Sequence, residues 1–246
     1  MKQFGLAAGV VLAFVTLAGA QEAAPPWKAK NVQYFPGDIS RETLTQRMRE
    51  FSFALNVRCQ YCHAGGDGVS FEGVDFASDE KQAKVKARAM LRMTREINDT
   101  LLAKIPARAE PRIEVACVTC HRGRRQPKTL QTVLFESVET EGIAAAVARY
   151  KELRANMVSG VYNFGEWEIN ELARRLVEVK KPDAAIAILE MNGEYYPKSP
   201  EIDFSIAEIL LAKGEKDKAL ARYKVTLEKA PNHQGAKGRI AQLEKQ

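Results

Sequence analysis

The sequence predicts a mainly α-helical protein built in two unlike parts, and three observations carry that expectation. In the first half, apolar residues recur at helical spacing between segments rich in Gly, Asp and Ser. All four cysteines lie in that half, confined to two short stretches, RCQYCH (58–63) and ACVTCH (116–121). In the second half, alanines and prolines recur at one fixed interval. A chain of 246 residues has room for one large domain or two modest ones.

Residues 1–20, MKQFGLAAGVVLAFVTLAGA, begin with a positive charge at Lys2, run apolar from Phe4 to Leu17 and end on Ala18-Gly19-Ala20. That is the pattern of a Sec-type signal peptide cleaved near Ala20. The apolar run is shorter than the ~20 residues needed to cross a bilayer. No cysteine follows it as a lipid attachment point, and no later segment is apolar enough to span. The expectation is an exported, periplasmic protein with no transmembrane segment in the mature chain.

Residues 21–39 contain the Pro-bearing stretch AAPPWKAKNVQYFPGDI and read as an irregular arm. A helix is predicted from near Ser40 through RETLTQRMREFSFAL, where Leu44, Met48, Phe51 and Leu55 form one apolar stripe. The first cysteine motif follows directly. AGGDGVSFEGVDFASDE then reads as loop. A second helix is predicted from about Lys81 to Leu102, with Met90, Met93, Ile97 and Leu101 on one face. Pro106 and Pro111 bracket the connection to the second motif, which closes a domain of residues 40–135.

Residues 136–165 are expected to connect the halves, with one helix over 136–158 containing GIAAAVARYKELRANM. Beyond it, Ala173, Ala207 and Ala241 are evenly spaced, and the same interval separates Ala185 from Ala219 and Pro197 from Pro231. A period of about 34 residues, with small residues at close helix crossings, is the tetratricopeptide signature. It predicts one helical hairpin over 166–199, a second over 200–233 and a capping helix over 234–246.

The net charge of +6 is unevenly placed: residues 21–135 carry 19 Lys+Arg against 13 Asp+Glu, and residues 136–246 carry 17 against 18. The basic character belongs to the half that holds the cysteines. No basic stripe interleaved with aromatics is present, so nucleic-acid binding is not suggested.

Cys-x-x-Cys in an exported chain has three competing chemistries besides simple disulfides. Four thiolates can hold a structural zinc, one pair can act as a redox dithiol, or the pentapeptide Cys-x-x-Cys-His can attach a haem covalently. Only the last uses the histidine after each pair. On a helical turn, residues i, i+3 and i+4 project to one side, so two sulfurs and an imidazole can meet the edge and face of one macrocycle. Two covalently bound haem c groups are therefore expected, through Cys59 and Cys62 and through Cys117 and Cys120, with His63 and His121 as proximal iron ligands.

The chain has three histidines, and the third, His233, falls at a repeat junction far from either motif. Bis-histidine ligation of both irons within one chain is excluded. Methionine is the remaining distal ligand for a six-coordinate iron, and His/Met ligation raises the reduction potential. Met48 lies on the stripe of the helix entering the first motif, and Met90 and Met93 share a face of the helix before the second. Helical spacing alone does not separate these roles from ordinary core packing.

MREFSFALNVRCQYCH, KARAMLRMTREIN and VACVTCHRGRRQP, in that order, resemble one two-haem half of the multihaem cytochrome c subunits of photosynthetic reaction centres. The resemblance covers about residues 40–128. It implies a helix that carries the distal methionine and a turn leading into each attachment helix. By position it implies Met48 as sixth ligand of the haem on Cys59, Cys62 and His63, and Met90 as that of the haem on Cys117, Cys120 and His121. The departures are two attachment sites where such subunits usually carry four, Asn56 where glycine is common, and the tetratricopeptide-like half.

The expected function is electron transfer by a dihaem c-type cytochrome, with the repeat domain docking a redox partner protein. Arg122, Arg124, Arg125 and Lys128 crowd the exit of the second motif, either as partners of haem propionates or as a basic docking patch for an acidic redox protein. An alternative is a haem enzyme of the dihaem peroxidase type with one open coordination position, and another is a zinc-bound interaction scaffold. No catalytic residue is expected apart from the haems.

Overall fold

The computed structural model describes residues 27–107, 111–156 and 160–245. The expected signal peptide, residues 1–20, lies outside the described residues. The fold is mainly α-helical, with ten helices and one minimal hairpin among the described residues.

Helix α1 (Arg41–Leu55) starts where the Ser40 hydroxyl accepts the Thr43 N–H at 3.1 Å. It ends at Asn56, which is left-handed at φ 53°, with the Val57 N–H returning to the Ser52 carbonyl. Asn is the residue besides Gly that tolerates this position. The segment after the first motif contains a two-residue ladder, β1 (Ala64–Gly65) with β2 (Val74–Asp75), antiparallel, with Ala64 opposite Asp75. Gly65 is required there: at φ 72° a Cβ would collide with the Gly73 carbonyl.

Helix α2 (Gln82–Glu96) is shorter than the Lys81–Leu102 helix predicted, because its last turns widen to a π turn (Ile97–Leu101) and then tighten to a 3₁₀ turn (Leu102–Lys104). Within the π turn, the Asn98 carboxamide takes the Val115 N–H at 2.8 Å and donates to the Val115 carbonyl at 2.9 Å. That pair pins the approach to the second motif, which forms the short helix α3 (Cys117–His121).

The single connecting helix expected over 136–158 is two helices, α4 (Leu130–Thr140) and α5 (Ile143–Ala155). They turn at Gly142, whose φ of 90° favours glycine. Both pack onto the following helices, so they are built into the core rather than spanning a gap.

The remaining helices are α6 (Glu166–Glu178), α7 (Pro182–Tyr195), α8 (Pro200–Ala212), α9 (Lys216–Lys229) and α10 (Gln234–Leu243). Their starts at 166, 200 and 234, and at 182 and 216, keep the interval of the alanines and prolines. Pro182 and Pro200 occupy first-turn positions where no N–H is needed. Ala173, Ala185, Ala207 and Ala219 are buried at helix crossings, while Ala241, on α10, is exposed.

The apolar core lies almost wholly in residues 130–243. Leu130, Leu134, Tyr150, Ile169, Leu172, Leu176, Ile188 and Ile206 are closed off from solvent in one cluster. In the half with the cysteines, the buried apolar residues among those described are Ala54 and Ala64.

Candidate functional site

Both motifs fold as helical turns that follow an extended residue. In the first, a 3₁₀ turn (Cys59–Tyr61) places the Cys62 and His63 N–H groups on the Cys59 carbonyl at 3.1 and 3.0 Å. In the second, the Thr119 hydroxyl accepts the Ala116 N–H at 3.0 Å, and left-handed Arg122 (φ 47°) ends α3. The four thiols are free. Burial, followed by the neighbouring Cys59, pushes the Cys62 thiol up from its ordinary value; burial also pushes Cys117 up.

The two turns are joined through the end of α1. The Gly123 N–H donates to the Ala54 carbonyl at 2.9 Å, and the Arg125 guanidinium lies 5.8 Å from the centre of the Tyr61 ring. The structure therefore brings the two motifs to one helix end, yet each histidine stays with its own cysteine pair. Among the described residues, no three His, Cys, Asp or Glu side chains gather to hold a metal ion by themselves.

The histidines sit in different surroundings. His121 Nδ1 lies 2.8 Å from the Arg124 carbonyl oxygen. A carbonyl can only accept, so Nδ1 carries the proton and Nε2 keeps its lone pair. His63 Nδ1 is buried with no hydrogen-bond partner, and the ring lies 5.0 Å from Phe76. Burial first, then Lys84 and Arg88, lower the His63 pKa against a smaller opposing effect of the Phe76 backbone. A neutral imidazole is the form that binds a metal.

Helix α2 secures the ground around His63. The buried Lys84 ammonium donates to the Phe76, Ala77 and Ser78 carbonyls at 2.9, 3.0 and 2.7 Å. Arg88 pairs with Asp79 at 2.8 Å and donates to the Asn31 carbonyl at 3.1 Å, and Lys81 donates to the Gln60 carbonyl.

A cleft of about 940 Å³ opens beside Cys117. Thr43, Arg47 and Phe51 of α1, Leu91 and Arg95 of α2, and Tyr34 and Phe35 of the arm are among its lining residues. Phe35 stacks on Phe51 at 6.4 Å, and Arg95 lies over Tyr34 at 4.1 Å. The expected methionine ligands are not in the lining. Met48 is half-buried on α1, and Met90 and Met93 are 45% and 46% exposed on α2.

The residues fit a haem. Each turn offers two thiols and an imidazole, and Phe53, Phe71, Phe76 and Val118 stand exposed in a half with almost no apolar core of its own. A large flat apolar group is what such a half needs to bury those side chains.

The basic patch is partly spent on internal contacts. Lys128 pairs with Glu136 at 2.6 Å, and the Arg124 guanidinium lies 4.6 Å from the Tyr162 ring centre. Sequence reasoning missed Lys84, Arg88 and Tyr162, whose partners are set by tertiary contacts and leave no local pattern.

Comparison with known proteins gives a family for the chain. The family model for the photosynthetic reaction centre cytochrome C subunit matches residues 15–181. The chain belongs to that family. It is a c-type cytochrome by descent, and covalent haem c is the cofactor that membership implies. The family match is wider than residues 40–128, reaching through α4, α5 and α6.

Cytochrome c-554 of Chloroflexus aurantiacus is 36% identical over 91 residues, 37% of this chain and 20% of that protein. The photosynthetic reaction center cytochrome c subunit of Roseobacter denitrificans is 33% identical over 103 residues, 41% of this chain and 26% of its own length. The protein of that name from Rubrivivax gelatinosus is 35% identical over 96 residues, 38% of this chain and 22% of its own length. The chain thus spans about a quarter or less of these relatives. No helix among the described residues is long and apolar enough to cross a membrane.

Proposed function

We propose that the protein is an exported, periplasmic dihaem c-type cytochrome that transfers electrons, with a tetratricopeptide-like half that docks a redox partner protein. The observation that carries this reading is the second motif. Cys117, Cys120 and His121 share one short helix, and the Arg124 carbonyl holds His121 in the tautomer that leaves Nε2 open to iron. The first motif repeats the residue pattern on a 3₁₀ turn through Cys59, Cys62 and His63, without a partner for His63 Nδ1. Bound haem would supply a one-electron centre; the chain orients His121 through the Arg124 carbonyl and partly buries His63.

Met48 and Met90 are the proposed distal ligands, on the strength of their positions before each motif. The even spacing of helix starts supports the repeat identity of residues 166–243. The family match and the residues 1–20 pattern support export.

The test is the absorption spectrum of the full chain made with haem-attachment machinery. Two haems per chain are expected, falling to one in Cys59→Ala/Cys62→Ala and in Cys117→Ala/Cys120→Ala. A methionine–iron charge-transfer band should be present and should weaken in Met48→Ala and again in Met90→Ala. A full band in either variant rejects that ligand.

One observation favours the haem-enzyme reading at the haem on Cys117 and Cys120: Met90 is 45% exposed on α2. An open iron there would bind added cyanide in the wild-type protein, and the Cys117→Ala/Cys120→Ala variant would not. Indifference of the wild type to cyanide removes this second reading.

A further inference from the structure

Beside the second motif, a continuous series of contacts runs from the helical half to His121. The Arg124 carbonyl oxygen accepts the His121 Nδ1–H at 2.8 Å, and the guanidinium of the same residue lies 4.6 Å from the centre of the Tyr162 ring. Tyr162 meets Phe164 edge-on at 6.3 Å. Phe164 packs against buried Tyr150 at 5.7 Å, and its carbonyl accepts from Tyr196 Oη at 2.6 Å and from Arg154 at 3.2 Å. Phe164 is thereby fixed to the core of the helical half, and Tyr162 is the ring through which that core meets Arg124.

We propose that Tyr162 and the Arg124 side chain are positioning residues for His121, so that the helical half sets the reduction potential of the second haem. The proposal rests on the dihaem reading above. A hydrogen bond from Nδ1 to a carbonyl makes an imidazole a stronger donor to iron and favours the oxidised centre. Whatever holds the Arg124 backbone against His121 therefore lowers that potential. Left-handed Arg122 and Gly123, with φ of 47° and 77°, precede Arg124 in a short turn. The cation–π contact fixes the far end of that turn to the helical half. A partner that moves the 160–165 segment would change the potential without touching the haem.

The experiment is a spectroelectrochemical titration of the full holoprotein in four forms: wild type, Tyr162→Ala, Tyr162→Phe and Arg124→Ala. Tyr162→Ala is expected to raise one midpoint potential and leave the other in place. Tyr162→Phe keeps the ring and should match the wild type. Arg124→Ala deletes the guanidinium and keeps the carbonyl; losing a positive charge would by itself lower the potential, so an upward shift there is owed to the freed carbonyl. Repeating Tyr162→Ala in the Cys59→Ala/Cys62→Ala background, where the second haem is the one retained, should preserve it.

Unmoved potentials in both Tyr162→Ala and Arg124→Ala, at full haem content, would overturn the proposal and leave the dihaem reading standing. A shift confined to the haem on Cys59 and Cys62 would overturn it equally. A wild-type chain lacking haem at Cys117 and Cys120 would instead remove the parent reading. Should Tyr162→Ala fail to fold, Tyr162→Leu, which keeps the bulk, removes the ring and changes no charge, decides in its place.

Discussion

At the scale of single residues, the two histidines differ in ways that electron transfer can read. His121 has a carbonyl acceptor for Nδ1–H, whereas half-buried His63 has no partner at Nδ1 and lies near Lys84 and Arg88, with Asp75 the weaker opposing charge. A weaker donor and nearby positive charge both disfavour the oxidised iron. The haem on His63 is expected to have the higher of two midpoint potentials, checked by titrating the two single-haem variants. Backbone strain provides a second residue-scale prediction. Lys180 adopts φ 61° at the turn where the next hairpin has Gly214 at φ 82°. Lys180→Gly is expected to stabilise the helical half by about 0.5–1 kcal/mol, measured by denaturant unfolding, because the left-handed penalty disappears. Asn56 and Asp79 show how legibility varies at this scale. That Asn56 stands where glycine is common came from the family resemblance, and its left-handed cap explains why Asn serves. The partners of Asp79 were not visible. The Arg88 hydrogen bond, helped by Asn31 and Lys84, holds its carboxyl well below the usual range. A depressed carboxyl stabilises the folded chain above its unfolded pKa of about 3.9 and loses that contribution as pH falls through the folded value. The difference in Tm between wild type and Asp79→Asn should therefore be present at neutral pH and shrink as the solution is acidified below about pH 4.

At the scale of elements, α1 was legible to within a residue because its signal is local: the stripe Leu44, Met48, Phe51 and Leu55 at helical spacing; the Ser40 cap and the left-handed Asn56 came from the structure. Ser40→Ala is expected to cost about 1 kcal/mol of stability by the loss of one capping bond. Helix α2 was legible in place but not in its facing. The stripe Met90, Met93, Ile97 and Leu101 suggested a core face, yet Met90, Met93 and Leu101 are substantially exposed. The side of α2 that meets the rest of the chain carries Lys84, Arg88, Leu91 and Arg95, three of them cationic, and each of those three binds carbonyls, a carboxylate or a ring. Charged side chains at partly buried positions are invisible to an apolar count, since their partners come from residues 31–34 and 76–79. Lys84→Leu, which strands three carbonyls, is expected to cost about 2 kcal/mol and to speed amide exchange across residues 64–80.

At the scale of the whole molecule, the halves are held together by different means. Residues 130–243 share a sealed apolar core, whereas the half with the cysteines relies on clamps of charged side chains onto backbone and on the haems assigned to it. Chain made without haem attachment is expected to be trimmed by limited proteolysis to a stable fragment beginning near Thr129, with residues 27–128 digested. Equal protection of both halves would contradict that division. Leu172→Ala, inside the core, should cost about 2–5 kcal/mol and act on the helical half first.

The sequence by itself determined the helical class, the even spacing of the later helices and the two Cys-x-x-Cys-His turns. Each of these rests on short-range geometry: helical periodicity, the i, i+3, i+4 projection, and turn residues of special φ. Tertiary structure alone decided that α4 and α5 are two core helices instead of one connector. It also decided that α1 carries both motifs at one end, and that Arg124 links His121 to Tyr162. Those contacts join residues far apart in the chain. Their energies depend on how helices pack, which no local pattern of residue types encodes.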